Sequence, residues 1–410
     1  MKIAFIGEAV SGFGGMETVI RDVITTFRQQ HIQSEIFFFC RNDKMDKGWL
    51  EGIKYSCSFS NIRLGFLRRA KHIHALSKWL HDYQPDVVIC IDVISCLYAA
   101  KARKKSGIDV PVFSWPHFSL DHKKHAEYIT CADYHLAISS GIKQQMISRG
   151  VPESTINVIF NPVEAKNSVI PAPGEGETAT FIYVGRMKFE GQKRVKDLLD
   201  GLSQVQGDWK LHVLGDGSDF EKCQAYGREL NIDDRIVWYG WQQHPWKLVQ
   251  QDIKKVSALL LTSSFEGFPM TLLEALSWGI PCISADCVSG PVDIIQPDVN
   301  GHLYQPGDMT GFVALLNKYI AGEIHIAHEK FRRRSINFIN RNITTDCKDN
   351  YFCYFPEEIM QQVFSETEFL NSVIDYNHKI EAENLCLDIA YGTDKIFFWM
   401  RNIDCFNIKI

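Results

Sequence analysis

No stretch of the 410-residue chain approaches the ~18 consecutive apolar residues that a membrane-spanning helix needs, so any contact with a bilayer is expected to be peripheral. The opening Met1-Lys2-Ile3-Ala4-Phe5-Ile6-Gly7-Glu8 is too short in apolar residues for a secretory signal. None of the twelve cysteines forms a Cys-x-x-Cys pair, which argues against a zinc site or a disulfide frame and for buried, reduced thiols in a cytoplasmic protein. Also missing are G-x-G-x-x-G with its distal acidic residue, a Walker Gly-Lys-Ser/Thr ending, and an Asp-x-Asp pair at the end of a strand. These absences disfavour a nicotinamide dehydrogenase, a P-loop NTPase and metal-held diphosphate chemistry, respectively. What is present is ordinary for a folded protein: 45% hydrophobic and 23% charged residues, in a chain long enough for two packed domains.

The net charge of -5 hides an asymmetry. Residues 1–163 hold 20 Lys and Arg against 15 Asp and Glu, and the remainder holds 24 against 34. A general nucleic-acid binder would not be built this way, whereas a basic front half suits anionic surfaces such as phosphorylated glycolipids or membrane headgroups.

Short runs rich in Val, Ile and Phe recur in two series. Ile3–Ile6, Glu35–Cys40, Asp86–Asp92, Val110–Trp115 and Tyr134–Ile138 form the first; Ala179–Val184, Lys210–Leu214, Ile236–Tyr239, Ser257–Thr262 and Pro281–Ser284 form the second. Continuous rather than alternating hydrophobicity predicts strands buried on both faces, hence two doubly wound α/β domains, over 1–165 and 178–325. The Pro, Gly and Glu cluster around Asn161-Pro162 and Pro171–Glu177 marks the linker between them.

Three pieces of the second series carry chemistry. Tyr183-Val184-Gly185-Arg186, with Lys193 shortly after, puts two cations at the end of a first strand, where α/β sheets bind ligands and a diphosphate is the natural anion; alone, the pair fits a solvated basic face at least as well. Gly215-Asp216-Gly217 is a second strand followed by a glycine turn, where Gly217 either relieves crowding near a bound base or sugar or, as the piece alone reads more readily, serves a plain turn. In Phe265-Glu266-Gly267-Phe268-Pro269-Met270-Thr271-Leu272-Leu273-Glu274, Pro269 fits the first turn of a helix whose free N–H groups can take phosphate oxygens. Two carboxylates eight residues apart, Glu266 and Glu274, could then reach one extended ligand through its diols. In the first series Gly14 and Gly15 open a helix with Val19, Ile20, Val23, Ile24 and Phe27 at helical spacing; alone, that loop fits a tight turn and a ligand loop equally.

Glu266 to Glu274 resembles the E-x7-E signature of the retaining family 4 glycosyltransferases, in the family's usual Phe-Glu-Gly-Phe-Pro context. Gly14-Gly15, Gly185-Arg186, Lys193 and Gly215-Asp216-Gly217 stand in the family's order. Phe39–Lys47, Ser114–His125 and Lys188–Lys193 are similar to the members that build enterobacterial lipopolysaccharide core, and the likeness covers about residues 1–325. The resemblance implies a GT-B fold, two Rossmann-like domains facing across a cleft, and transfer of galactose from UDP-galactose to a core glucose through an α-1,6 bond. It implies that Arg186 and Lys193 neutralise the UDP diphosphate, Glu274 holds the ribose hydroxyls, Glu266 contacts the galactose, and His117 lies near the transferred sugar. Gly14 and Gly15 would approach phosphate and sugar from the first domain. No metal and no other cofactor is implied, and the enzyme would sit on the cytoplasmic face of the inner membrane. UDP-glucose or another donor, and a nucleotide-sugar isomerase on the same architecture, remain as alternatives.

On the acceptor side, Arg63, Arg68, Arg69, Lys71 and Lys78 interleave with Leu64, Phe66, Leu67, Ile73, Leu76, Trp79 and Leu80, a pattern that fits either a solvated helix face or an anionic interface. His122 and His125 lack a third metal ligand and read as surface or acceptor contacts. Beyond Glu323 the character changes, and residues 326–410 form an atypical tail. Leu385–Lys395 resembles the opening strand of the family 8 glycosyltransferases, and Trp399-Met400-Arg401-Asn402-Ile403-Asp404 reads as an out-of-frame version of what should follow. The tail is therefore expected to be a read-through without catalytic role and partly disordered, with an ordinary extension as the alternative.

Overall fold

A computed structural model describes residues 1–10, 14–41, 45, 47–164, 166, 168–324, 326, 390–392 and 395–397. The chain divides into two compact units. The first comprises Met1–Ile138 and Lys143–Pro162, and the second runs on from Val163 and takes in Ser139–Ile142.

The first unit is built on a seven-stranded sheet: β1 (Lys2–Glu8), β2 (Gln33–Cys40), β3 (Tyr55–Phe59), β4 (Val87–Cys90), β5 (Val112–Ser114), β6 (Tyr134–Ala137) and β7 (Ile156–Val158). Their order is β3-β2-β1-β4-β5-β6-β7, and every pairing is parallel, with Lys2 opposite Gln33 and Ile3 opposite Val87. Helices α1 (Gly15–Gln29), α2 (Gly65–Tyr83), α3 (Val93–Ser106) and α4 (Ser140–Ile147) supply crossovers. Each helix has a local cause. Helix α1 buries Val19, Ile20, Val23, Ile24 and Phe27 as one stripe. Helix α3 starts where Asp92 accepts the Ser95 N–H at 2.9 Å and stops at Gly107, whose φ of 73° ends the helix without a Cβ clash.

The second unit repeats the plan with β8 (Ala179–Val184), β9 (Trp209–Leu214), β10 (Ile236–Gly240), β11 (Ala258–Leu261), β12 (Cys282–Ala285) and β13 (Gly301–Tyr304), ordered β10-β9-β8-β11-β12-β13 and again all parallel. Its helices are α5 (Val195–Gln204), α6 (Phe220–Glu229), α7 (Pro245–Leu248), α8 (Met270–Ser277), α9 (Pro291–Ile294) and α10 (Met309–Ile320). Phe181, Val213, Leu260 and Ile283 of the sheet are buried with Leu198, Leu199, Leu202, Phe312 and Leu316 of α5 and α10 in one core. In both sheets the strand order reverses beside the first strand, at β1/β4 and β8/β11. That reversal opens a crevice at the carboxyl ends, the usual ligand position of such sheets.

All ten strands expected from the sequence are present. Three further strands of the two parallel sheets were not foreseen: β3, β7 and β13, each at a sheet edge. The segment read as a linker is not free chain, because buried Ile170 donates its N–H to the Trp278 carbonyl at 2.9 Å. Of the tail, Ala390–Gly392 pairs antiparallel with Lys395–Phe397 as β14 and β15. Ser11-Gly12-Phe13, Asn42–Lys44, Asp46 and the rest of the tail lie outside the described residues.

Candidate functional site

The residues singled out in the second unit leave the carboxyl ends of β8, β9 and β11, around the strand-order reversal. After β8 the chain turns at Gly185, with the exposed Arg186 next and its carbonyl fixed by the Tyr183 hydroxyl at 2.8 Å. After β9, Gly215 lies so close to this turn that a Cβ would stand 1.8 Å from the Gly185 oxygen, and one on Gly217 would stand 2.4 Å from the Met187 oxygen. Backbone bonds from Gly185 N–H to Leu214 and from Met187 N–H to Asp216 lock the two turns together. The crowding that Gly217 relieves is with a neighbouring turn of the protein, in line with the plain-turn reading. Asp216 accepts the Gly217 N–H at 2.6 Å, which holds the turn in shape.

Lys193 and Glu266, to which the resemblance gives separate tasks, are in contact. The lysine Nζ donates to Glu266 Oε1 at 2.6 Å, with the two side chains only 12% and 8% exposed. Gln192 lies 3.4 Å from the other carboxylate oxygen. The main chain of Glu266 is fixed on both sides, its N–H donating to Val288 and its carbonyl accepting the Ser289 hydroxyl. Hydroxyls tie the two loops to each other as well: Thr262 donates to the Lys193 and Arg194 carbonyls, and Ser264 to that of Gly191 at 2.7 Å. Charge is thus tolerated in a mostly buried place because each charged group has a partner.

Helix α8 begins at Met270 with Pro269 as its N-cap, one residue earlier than the first-turn position expected. Gly267 and Phe268 are buried ahead of it, and the Thr271 hydroxyl in its first turn is buried without a hydrogen-bond partner. Glu274 lies in the second turn, where the Trp246 indole donates to its Oε2 at 2.7 Å. Gln192, Trp246, Thr262, Ser264 and Ser289 were not found from the sequence, since single amide, indole and hydroxyl groups carry no spacing signal.

The remaining candidates belong to the first unit. Gly14 caps α1, and a Cβ there would meet only the end of the Glu17 side chain, so no close packing demands glycine. Gly15 is the exposed first residue of that helix. His117 packs edge-on against Trp115 with ring centroids 4.2 Å apart, and both its nitrogens are buried and unpartnered. Burial alone pushes its pKa down to about 3, so the ring is neutral near pH 7.

Two all-parallel sheets of Rossmann strand order are the architecture of the GT-B glycosyltransferases, and the likeness to known proteins puts the chain in that class. Residues 13–167 match the model for Glycosyltransferase Family 4 and residues 168–338 that for Glycosyl transferases group 1. The chain is 93% identical over 330 residues to the lipopolysaccharide 1,6-galactosyltransferase of Escherichia coli K12, a match covering 80% of this chain and 92% of that protein. It therefore belongs to this glycosyltransferase family. The solved structure of the lipopolysaccharide outer core galactosyltransferase WaaB in its apo form is similar, with a TM-score of 0.78 and 64% identity, covering 83% of this chain and 95% of that one. A further short match, 41 residues at 80% identity, is to the lipopolysaccharide glucosyltransferase WaaO of E. coli K12; it spans 10% of this chain and 12% of that protein.

Proposed function

We propose that this chain transfers galactose from UDP-galactose to a glucose of the lipopolysaccharide core, forming an α-1,6 bond with retention at the anomeric carbon. The reading is carried by the 93% identity over 330 residues to an enzyme bearing that name. Geometry supplies a chemical account. As the bond between anomeric carbon and phosphate oxygen breaks, positive charge grows on the sugar and negative charge on UDP, so stabilising the leaving group is the main electrostatic task. Arg186 and Lys193 would face the diphosphate. The free N–H groups at the start of α8 and the unpartnered Thr271 hydroxyl would take phosphate oxygens. Gly215 and Asp216 would border the donor through their turn, and Glu274, steadied by Trp246, would accept the ribose diol.

Glu266 would accept galactose hydroxyls rather than act as a nucleophile. The acceptor oxygen bonds to the anomeric carbon on the face that UDP leaves, and its proton passes to the departing phosphate oxygen. For Gly14, Gly15 and His117 the reading rests on the family resemblance. We also place the enzyme in the cytoplasm, peripheral to the inner membrane that holds its acceptor. In support, Leu64, Phe66 and Leu67 are exposed at the start of α2 beside Arg63 and Lys71. No helix among the described residues is long and apolar enough to cross a bilayer.

The test is transfer of labelled sugar from UDP-galactose and from UDP-glucose to core-truncated lipopolysaccharide. Transfer from UDP-galactose alone is the expected result, and equal or reversed donor use would refute the donor assignment.

A further inference from the structure

A cavity of about 290 Å³ opens in the first unit, lined by the ends of β1 and β2 and by α2 and α3. Its walls carry three guanidinium groups, Arg41, Arg68 and Arg69, against one lining carboxylate, Glu8. Among the described residues the arginine ion pairs are those of Arg103, Arg149 and Arg194, so none of the three in the pocket is in direct ion-pair contact; Glu8 acts on Arg41 and Arg68 at longer range. Arg68 is nonetheless held in place, its Nη1 donating to the Ile62 carbonyl at 2.9 Å. Beneath them, His72 is fixed by a 2.9 Å contact between its Nδ1 and the Ser58 hydroxyl. Burial, with Arg68 and Lys71 nearby, lowers the His72 pKa to about 4, leaving a neutral ring. Tyr98 adds a partly apolar wall.

Three guanidiniums lining one concave site outside direct ion-pair contact repel one another, and an anion with several oxygens relieves that repulsion while matching their planar donor forks. Glu8, the lining carboxylate, with Asp92 behind it, can accept sugar hydroxyls, which a bare anion would not offer. We propose that this pocket binds a phosphate monoester carried by a sugar of the acceptor, with Arg41, Arg68 and Arg69 on the phosphate and Glu8 on the sugar. The inference rests on the galactosyltransferase reading and adds to it the chemical class of the group by which the acceptor is held. The pocket lies at the carboxyl ends of β1 and β2, the same end of the first sheet as the crevice at the β1/β4 switch point, so its place as well as its charge is that of a binding site.

The experiment measures transfer of labelled galactose to core-truncated lipopolysaccharide before and after removal of its phosphate esters, for the native enzyme, R41Q/R69Q and R69K. Dephosphorylation should raise the native KM for acceptor about ten-fold. R41Q/R69Q should show that raised KM with both acceptors, the loss falling on KM rather than kcat, while R69K should lie between. Equal native KM values for the two acceptors, or a variant that keeps the native discrimination, would overturn the proposal. Flotation with phosphatidylglycerol vesicles separates a headgroup source: vesicle binding lost in the variant with acceptor discrimination retained would also overturn it. A direct arm is independent of transfer. Glucose 6-phosphate, and not glucose, should give saturable heat with the native enzyme and lose it with R41Q/R69Q, and no heat would count against the pocket even if transfer is intact. UDP calorimetry on the same preparations distinguishes failure of the pocket from failure of the galactosyltransferase reading or misfolding of a variant.

Discussion

Lys193 and Glu266 share one mostly buried contact, so neither can be altered without changing the other's surroundings. Replacing Lys193 by Ala leaves the carboxylate buried and unpaired, which should cost about 3 kcal/mol of stability and weaken UDP binding at least about ten-fold. Denaturant titration and calorimetry check the two effects separately. E266Q keeps the shape of the side chain and frees the lysine, so turnover should fall about 100-fold while UDP affinity stays within about two-fold. Gly215→Ala drives a methyl group into a neighbouring main-chain oxygen that cannot rotate away, and a destabilisation of at least about 2 kcal/mol is expected in urea unfolding. The glycines, Lys193 and both glutamates were legible because each sits in a dense local pattern. Their mutual contact was not, since the lysine and Glu266 are 73 residues apart. Nor was the crowding partner of Gly217 legible, since Met187 comes from another strand's turn.

Among the elements, the strands read correctly from sequence are mostly those buried on both faces, whose residues are uniformly apolar. The three that escaped lie at edges: β3 leaves Tyr55 and Phe59 36% and 43% exposed, β7 has only three residues, and β13 opens on glycine. An edge strand needs only one partner and one covered face, so its composition drifts toward that of a loop. β10, also an edge, remained legible through its Ile-Val-Trp-Tyr run. The α7–α8 pairing offers a test at this scale. Trp246→Phe removes the indole donor to Glu274 while preserving the ring's bulk, and should raise the UDP dissociation constant about five-fold. In an E274Q background the same change should have little further effect, which a double-mutant cycle by calorimetry would read as coupling.

For the molecule as a whole, acid sensitivity follows from its buried histidines. His72, His117 and His135 of the first unit are lowered to about 4, 3 and 4, and His212 of the second to about 4, in each case chiefly by burial. An unfolded histidine titrates near 6.5, so between that value and the folded pKa the unfolded chain binds more protons. Their contribution to stability is therefore complete above about pH 6.5 and is lost progressively as pH falls toward 4 and 3. The thermal midpoint should drop steadily from pH 7 to pH 5, and hydrogen exchange corrected for intrinsic rate should show the first unit opening before the second. His135→Gln, which can still meet the Ser114 hydroxyl, should flatten that slope. Finally, because β1 to β13 are joined only by parallel ladders, no neighbouring pair can form as a two-residue hairpin. Each ladder must wait for its crossover to be enclosed, which makes early collapse rich in unsatisfied strand edges and the search for the native register slow. Refolding from denaturant should accordingly take seconds or longer and lose yield steeply as protein concentration rises.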